Sequence, residues 1–292
     1  MYCQWMIYRG CKNACPYCEV PSTTADLNDD HLSAVLKTFE LLEGKVKRLE
    51  FIGGEMLDYP FINEIVYNGN KSSIERIVLI TTGINKSKFA EVMKLANPSK
   101  WGFCFTLDML TLKARECLED KNLGGSARKS KAGWEAFYQY ENFWRRGHVT
   151  VGRHNLKDLP KIAKLRREDW EMANKIMKEL IILKKNYGSL FLPSDEYLDL
   201  ITRCCKESYE MYPCGCGDTM PYLRIGDRVC PDGTFGLMVC SDFYLPNFSV
   251  KNWVEKKEEV ESAWAGNVVR RFCANHEGCA WSVSLTLSFS QK

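Results

Sequence analysis

Three closely spaced cysteines are the first residues in this sequence whose type and spacing point to chemistry. Cys11, Cys15 and Cys18 follow one another in the pattern C-x3-C-x2-C, directly after a short apolar run at residues 4–9. Thiolates at this spacing can hold one iron–sulfur cluster. They can also form part of a zinc site that takes a fourth ligand from elsewhere in the chain. The triplet alone leaves both interpretations open.

A cluster held by only three protein thiolates leaves one iron open, and that vacancy has a chemical use. An amino group and a carboxylate on one small molecule, such as the methionine end of S-adenosylmethionine, can chelate the open iron. Tyr17, just before the last cysteine, is an aromatic side chain that could lie against an adenine ring. These residues therefore favour a redox site over a zinc knuckle.

Further motifs occur in order after the cysteines, and together the chain resembles the radical S-adenosylmethionine (radical SAM) superfamily over roughly residues 3–193. The motifs are CKNACPYC at 11–18, GGE at 53–55, TTG at 81–83, FTLD at 105–108 and VTVGRHN at 149–155. Glycines allow close backbone approach to a ligand, and a carboxylate suits an ammonium group. The resemblance implies a [4Fe–4S] cluster on the three cysteines and S-adenosylmethionine contacts from Tyr17, Gly53, Gly54, Glu55, Thr82, Thr106, Asp108, Arg153 and Asn155.

Six more cysteines lie after residue 213, at Cys214, Cys216, Cys230, Cys240, Cys273 and Cys279. The segment 233–243 resembles the hairpin before a cluster cysteine in SPASM and twitch domains, which carry auxiliary clusters in this superfamily. Only two cysteines follow Cys240, which fits one auxiliary [4Fe–4S] cluster and a twitch-like domain. The favoured ligands are Cys216, Cys240, Cys273 and Cys279, with Cys214 and Cys230 as close rivals. Zinc is the less favoured occupant.

Strand-like and helix-like patterns alternate along the first two thirds of the sequence. This order predicts an α/β fold, a partial (β/α)6 TIM-like barrel at residues 1–193, followed by a small cysteine-rich α+β domain at residues 194–292. The expected strands are 4–9, 48–52, 76–82, 101–107 and 149–151, and the expected helices are 27–42, from 61 to 67, 86–95, 133–146, 194–206 and 253–271. A turn is expected at Pro231-Asp-Gly-Thr234. Active sites of such barrels lie at the carboxyl ends of the strands.

Composition and sequence patterns predict the compartment and make some partners less favoured. The chain has 45% hydrophobic and 26% charged residues and a net charge of +3, which is typical of a globular protein. That charge is too mild to imply nucleic-acid binding by itself, so a nucleic-acid partner is possible but not favoured. No secretory signal and no apolar run of membrane-spanning length is visible, so we expect a cytoplasmic protein without a membrane partner. In that compartment 14 cysteines favour metal binding over disulfides.

The resemblance implies an oxidoreductase-like enzyme that cleaves S-adenosylmethionine reductively to a 5′-deoxyadenosyl radical, which abstracts a hydrogen atom from a small-molecule, nucleotide or peptide substrate. An electron donor such as flavodoxin or ferredoxin is implied. Because Cys11 is close to the first residue, we expect no N-terminal peptide-recognition domain. One alternative is a ribosomal-peptide maturase with a separate recognition protein; another is a non-catalytic zinc-binding interaction module. Candidate substrate residues are Glu19, Arg153, His154, Tyr222 and Arg224.

Overall fold

The computed structural model describes residues 1–13, 27–106, 132–133, 135–136, 139–140, 142–150, 223–239, 244–265 and 286–291. The predicted boundary between residues 193 and 194 and the predicted helix at 194–206 lie outside these ranges.

Nine strands of the described ranges form one sheet, in the order β8-β7-β6-β1-β2-β3-β4-β5-β9. Neighbours from β6 to β5 in that order run parallel, whereas β7, β8 and β9 join by antiparallel pairing. The predicted α/β class is confirmed in this general form, and closure into a barrel stays a prediction. The strands are β1 (Tyr2–Tyr8), β2 (Arg48–Gly53), β3 (Arg76–Thr81), β4 (Trp101–Thr106), β5 (Trp144–Thr150), β6 (Leu223–Val229), β7 (Phe235–Met238), β8 (Tyr244–Ser249) and β9 (Thr286–Gln291).

The helices largely follow the sequence pattern. They are α1 (Asp29–Leu42), α2 (Ile62–Lys71), α3 (Lys86–Leu95), α4 (Val250–Glu255) and α5 (Lys257–Ala265), with a short 3-10 helix at Met56–Asp58. Asn28 caps α1 by accepting the His31 N–H, and Asp29 and Asp30 lie in its first turn, where their charge suits the helix dipole. The predicted helix at 253–271 is instead two helices separated at Lys256, and residues 266–271 lie outside the described ranges.

The prediction of a helix over residues 133–146 is wrong at its carboxyl end. Residues 135, 136 and 139 are helical, but Tyr140 is not, and β5 begins at Trp144 rather than at the expected residue 149. Pairing with β4 explains the difference, because it runs from Gly102 opposite Trp144 to Thr106 opposite His148. Tertiary pairing therefore overrides the local helical spacing of the aromatic residues.

One face of the parallel strands packs against the helices as the main core. Its members alternate along each strand, as the pleat requires, and Trp5, Phe51, Leu79 and Phe103 are fully buried in it. Burial of each such side chain stabilises the fold by about 1.5–3 kcal/mol relative to exposure. This face fixes the register of the strands and hence the positions of their carboxyl ends.

The opposite face carries a buried ionic cluster. Glu50 accepts hydrogen bonds from Tyr2 Oη at 2.5 Å and from Arg48 Nη2 at 2.6 Å. Arg146 Nη2 lies 3.5 Å from the same carboxylate, although β3 and β4 separate its strand from β2. Arg146 also donates Nε–H to Cys104 Sγ at 3.4 Å. Side chains of β1, β2, β4 and β5 thus meet over the middle of the sheet.

The expected hairpin around residues 231–234 is confirmed. The N–H of Cys230 donates to the Thr234 carbonyl at 2.8 Å, and the Gly233 N–H donates to the Cys230 carbonyl at 2.9 Å. Gly233 has φ +74°, a conformation that glycine adopts readily. The first strand of this hairpin, β6, pairs in parallel with β1, with Gln4 opposite Arg224, so residues beyond position 193 belong to the same sheet as β1.

Candidate functional site

The predicted cofactor motifs follow four neighbouring strands, at the edge of the sheet that is formed by the carboxyl ends of those strands. Cys11 comes shortly after β1, the Gly53–Glu55 segment closes β2, Thr82 follows β3 and Thr106 ends β4. These four strands are parallel neighbours, so their carboxyl ends lie side by side. Ligands bind at this edge in open and barrel-like α/β sheets.

Gly53 and Gly54 allow the loop after β2 to lie directly on the backbone that leads to Cys11. The Gly54 N–H donates to the Tyr8 carbonyl at 2.7 Å, and the Glu55 N–H donates to the Gly10 carbonyl at 3.2 Å. Gly53 has φ +125°, and a Cβ there would lie 2.3 Å from the carbonyl oxygen of Tyr8. The glycines thus have a role inside the chain itself, whatever they contribute to a ligand.

Glu55 is the centre of a hydrogen-bond network at this edge. Its side chain is only 3% exposed. Oε1 accepts hydrogen bonds from Thr81 Oγ1 at 2.5 Å and from the Leu57 N–H at 3.1 Å. Oε2 accepts the Thr82 N–H at 2.9 Å and the Thr82 hydroxyl. Hydrogen bonds to an ionised carboxylate are the stronger kind, so Glu55 fixes the turn after β3 to the loop after β2.

Cys11 lies half-buried beside this network. Its Sγ accepts the backbone N–H of Asn13 at 3.5 Å. The Asn13 side-chain amide in turn lies 3.5 Å from Glu55 Oε2 and 3.4 Å from Thr82 Oγ1. A thiol that accepts an N–H at the edge of a parallel sheet fits the donor chemistry of a cluster ligand, because hydrogen bonds to sulfur are one way in which proteins tune such clusters.

Several other predicted site residues lie outside the described ranges. Within those ranges no three His, Cys, Asp or Glu side chains form a metal-binding group. Two of the three cysteines predicted as ligands of the N-terminal cluster, Cys15 and Cys18, lie outside those ranges. Predictions therefore stay predictions for Cys15, Tyr17, Cys18, Glu19, Asp108, Arg153, His154, Asn155, Cys214, Cys216, Tyr222, Cys240, Cys273 and Cys279.

Two more predicted residues are described, and they lie at opposite ends of β6. Arg224 is near the amino end of this strand, where its Nε and Nη2 donate to Gln4 Oε1 at 3.3 and 3.2 Å. Cys230 is half-buried at the start of the β6–β7 turn. Burial, with the nearby charge of Asp232, raises the pKa of the Cys230 thiol. Arg224 is therefore distant from the edge formed by the carboxyl ends of the strands, whereas Cys230 follows the carboxyl end of β6.

Sequence reasoning missed an ion pair that anchors the strand end before Cys11. Arg9 Nε lies 2.9 Å from Asp227 Oδ2 in β6. Tyr244 in β8 donates its hydroxyl to the same carboxylate and accepts the N–H groups of Asp227 at 2.8 Å and Arg228 at 3.0 Å. The one signal of this contact in the nearby sequence is the glycine at position 226. A Cβ on Gly226 would lie 2.3 Å from the hydroxyl oxygen of Tyr244.

Comparison with known proteins gives one family. Residues 5–116 match the model of the Radical SAM superfamily, a range that includes the three N-terminal cysteines, the GGE motif, Thr82, Thr106 and Asp108. No curated protein matches the chain. None of the helices in the described ranges combines the length and the apolar character needed to cross a bilayer.

Proposed function

From the premise that residues 5–116 match the radical SAM superfamily, we propose that the protein reductively cleaves S-adenosylmethionine and abstracts a hydrogen atom from a small-molecule, nucleotide or peptide substrate. The match supports a radical SAM enzyme in general, and the substrate class and the outcome of the reaction are our proposal. A net oxidation or a rearrangement is the outcome that we favour.

One observation carries this proposal: the Glu55 carboxylate connects the carboxyl ends of β2 and β3 and contacts the loop that begins with Cys11. Its hydrogen bonds to Thr81, Thr82 and Asn13 bring three separate motifs of the sequence into one network. Motifs that merely occurred by chance would have no reason to meet at one edge of a sheet. The network supports a shared site for cluster and cofactor at this edge.

In the proposed site, Cys11, Cys15 and Cys18 would hold a [4Fe–4S] cluster, and the reduced cluster would supply the electron for cleavage of the sulfonium C–S bond. Glu55 is positioned by its donors before any ligand arrives, which lowers the reorganisation that binding requires. Thr106 ends β4 at the same edge and is 5% exposed. The proposed roles of Thr106 and Asp108 are contacts with the cofactor ribose.

We also propose a second [4Fe–4S] cluster on cysteines of the C-terminal region, with Cys216, Cys240, Cys273 and Cys279 as favoured ligands and Cys214 and Cys230 as rivals. The support is the cysteine count together with the tight turn between β6 and β7, which begins at Cys230. Such a cluster can take an electron from a substrate radical, whereas zinc cannot.

Anaerobic reconstitution of the full chain tests the central proposal. Reduced protein should convert S-adenosylmethionine to 5′-deoxyadenosine and methionine, measured by liquid chromatography. The triple variant Cys11→Ala, Cys15→Ala, Cys18→Ala should lose this activity. Cys3→Ala is the matched control, because Cys3 is buried in β1 and has no proposed ligand role. Cleavage by the triple variant at the wild-type rate would show that the cluster assignment is wrong.

The same preparation separates the proposal from a zinc-binding interaction module. A brown protein with broad absorption at about 400 nm contains iron–sulfur clusters. A colourless protein with zinc at both cysteine groups would favour the module instead. A peptide maturase would bind a separate recognition protein, which co-purification can detect.

A further inference from the structure

Asn13 contacts both a predicted cluster ligand and the Glu55 network. Its backbone N–H donates to Cys11 Sγ at 3.5 Å. Its side-chain Nδ2 is within hydrogen-bond distance of Glu55 Oε2, at 3.5 Å, and of Thr82 Oγ1, at 3.4 Å. The residue lies between two cysteines of the C-x3-C segment, at a position to which the motif assigns no role.

These contacts place an amide donor within hydrogen-bond distance of a carboxylate oxygen and a hydroxyl oxygen. Glu55 is 3% exposed and Thr82 is 6% exposed, so water does not readily replace the Asn13 amide. Glu55 itself is fixed by the N–H groups of Leu57 and Thr82. The Asn13 side chain is therefore attached to a rigid part of the molecule, and its backbone is held with it.

Resting on the proposed function, we infer that Asn13 is a positioning residue: through Glu55 and Thr82 its side chain holds the backbone N–H against the sulfur of Cys11. An N–H donor stabilises negative charge on sulfur, and reduction of a cluster increases that charge. Asn13 thus favours the reduced cluster, and any ligand that contacts Glu55 acts on the same network. Control of the redox potential thereby extends to a residue outside the cysteines and the GGE motif.

The test uses Asn13→Leu, which keeps approximately the shape of the side chain and its neutrality but removes the amide donor. The midpoint potential of the reconstituted N-terminal cluster, on Cys11, Cys15 and Cys18, should become more negative. We expect about a tenfold lower ratio of reduced to oxidised cluster at a fixed potential, which corresponds to about 59 mV for a one-electron couple. The electron paramagnetic resonance signal of the reduced cluster should change as well.

Asn63→Leu is the matched control. The Asn63 amide also donates to a glutamate carboxylate, Glu91 Oε1 at 2.5 Å, but it joins α2 to α3 on the exposed surface. This variant should keep the wild-type potential and spectrum.

The double variant Asn13→Leu, Thr82→Val should shift the potential by less than the sum of the two single shifts, because both substitutions break one network.

Hydrogen exchange on the cluster-free full chain separates this inference from the proposed function. In Asn13→Leu the amides of residues 9–13 should exchange about tenfold faster than in the wild type, and Asn63→Leu should leave them unchanged. A wild-type protein that binds no cluster would refute the proposed function, while the exchange measurement still tests the anchoring. Unchanged exchange, or an unchanged potential in a protein that holds its cluster, would overturn the role of Asn13.

Discussion

A Cβ atom on Gly54 would lie 2.0 Å from the carbonyl oxygen of Gly10, so these two residues touch through bare backbone. The Gly10 carbonyl oxygen belongs to the backbone, so it cannot move aside as the end of a flexible side chain could. The Gly54→Ala variant must separate the loop after β2 from the strand end before Cys11. We expect a loss of about 1–3 kcal/mol in the free energy of unfolding, measured by chemical denaturation, together with lower iron content after reconstitution.

Gly44→Ala serves as the comparison for this substitution. Gly44 has φ +68° and no atom within 4 Å of the Cβ position, so alanine there strains only the local backbone. Its stability should fall by about 1–2 kcal/mol while its iron content stays at the wild-type level. Full iron content and wild-type stability in Gly54→Ala would contradict the close packing of the two loops.

The Tyr244 hydroxyl is expected to stabilise the strand end before Cys11 through Asp227. Tyr244→Phe removes the acceptor of two backbone N–H groups, which should lower the free energy of unfolding by about 1–3 kcal/mol. Tyr67→Phe is the control, because Tyr67 is 58% exposed, and it should change stability by less than about 0.5 kcal/mol. Equal stabilities of the two variants would argue against the network.

The same tyrosine predicts a pH dependence. Burial, and then the Asp227 carboxylate, raises the pKa of Tyr244 to about 12 from its ordinary value of 10.0. A raised pKa means that the folded state favours the protonated hydroxyl, so this contribution is complete below pH 10 and is lost as the pH rises towards 12. The difference in stability between wild type and Tyr244→Phe should therefore shrink over that interval, which denaturation curves at several pH values can measure.

The ionic cluster around Glu50 predicts sensitivity at the acid end. Burial alone would raise the pKa of Glu50, but Arg146, the Tyr2 hydroxyl and Arg48 outweigh it and hold the pKa below its ordinary value of 4.5. The stabilising contribution is therefore present above that value and is lost as the pH falls below it. Glu50→Gln should lose about 2–3 kcal/mol at pH 7, less than a fully buried pair would, because the Arg48 side chain is 40% exposed.

Glu75→Gln is the matched control for Glu50→Gln. Its ion pair with Lys47 spans 3.5 Å between side chains that are 67% and 75% exposed, so its loss should be less than about 1 kcal/mol. The gap between wild type and Glu50→Gln should narrow progressively as the pH falls below 4.5 in acid denaturation. A gap of constant size across that acid range would assign the effect to packing rather than to charge.

The C-terminal cysteines predict the metal content of the triple variant. Cys11→Ala, Cys15→Ala, Cys18→Ala should retain about four irons and four sulfides per chain, because a second cluster would not depend on those residues. Adding Cys240→Ala should remove this iron. One zinc and no iron in the triple variant would identify the second site as structural zinc.

Local patterns predicted the first half of the fold well because its elements are regular and amphipathic. α3 has the bounds expected from the sequence. β2, β3 and β4 begin at the expected residues and β1 begins two residues early, and each of the four strands ends one residue from the expected position. The first helix was recognisable from Asn28 and the acidic residues after it. By contrast, the start of β5 depends on its neighbour β4, and nothing near Trp144 in the sequence encodes that pairing.

The candidate site was predictable in its residue types and less so in its contacts. The spacing of Cys11 and the GGE motif indicated the chemistry, but the donors to Glu55 come from Thr81, Thr82 and Asn13, which approach it only once the strands are paired. The ion pair between Arg9 and Asp227 joins positions far apart in the sequence. Such contacts depend on tertiary structure, and a single sequence without a template does not reveal them.

The parallel pairing of β6 with β1 has a consequence for how the chain is made. β1 ends at Tyr8, and its partner on that side begins only at Leu223. At about 5–20 residues per second, the ribosome needs about 10–40 s to deliver β6 after β1 has emerged. Throughout that interval one flank of β1 exposes N–H and C=O groups that another nascent chain could pair with. Synthesis slow enough to lengthen this interval should increase aggregation, and a bound chaperone should suppress it.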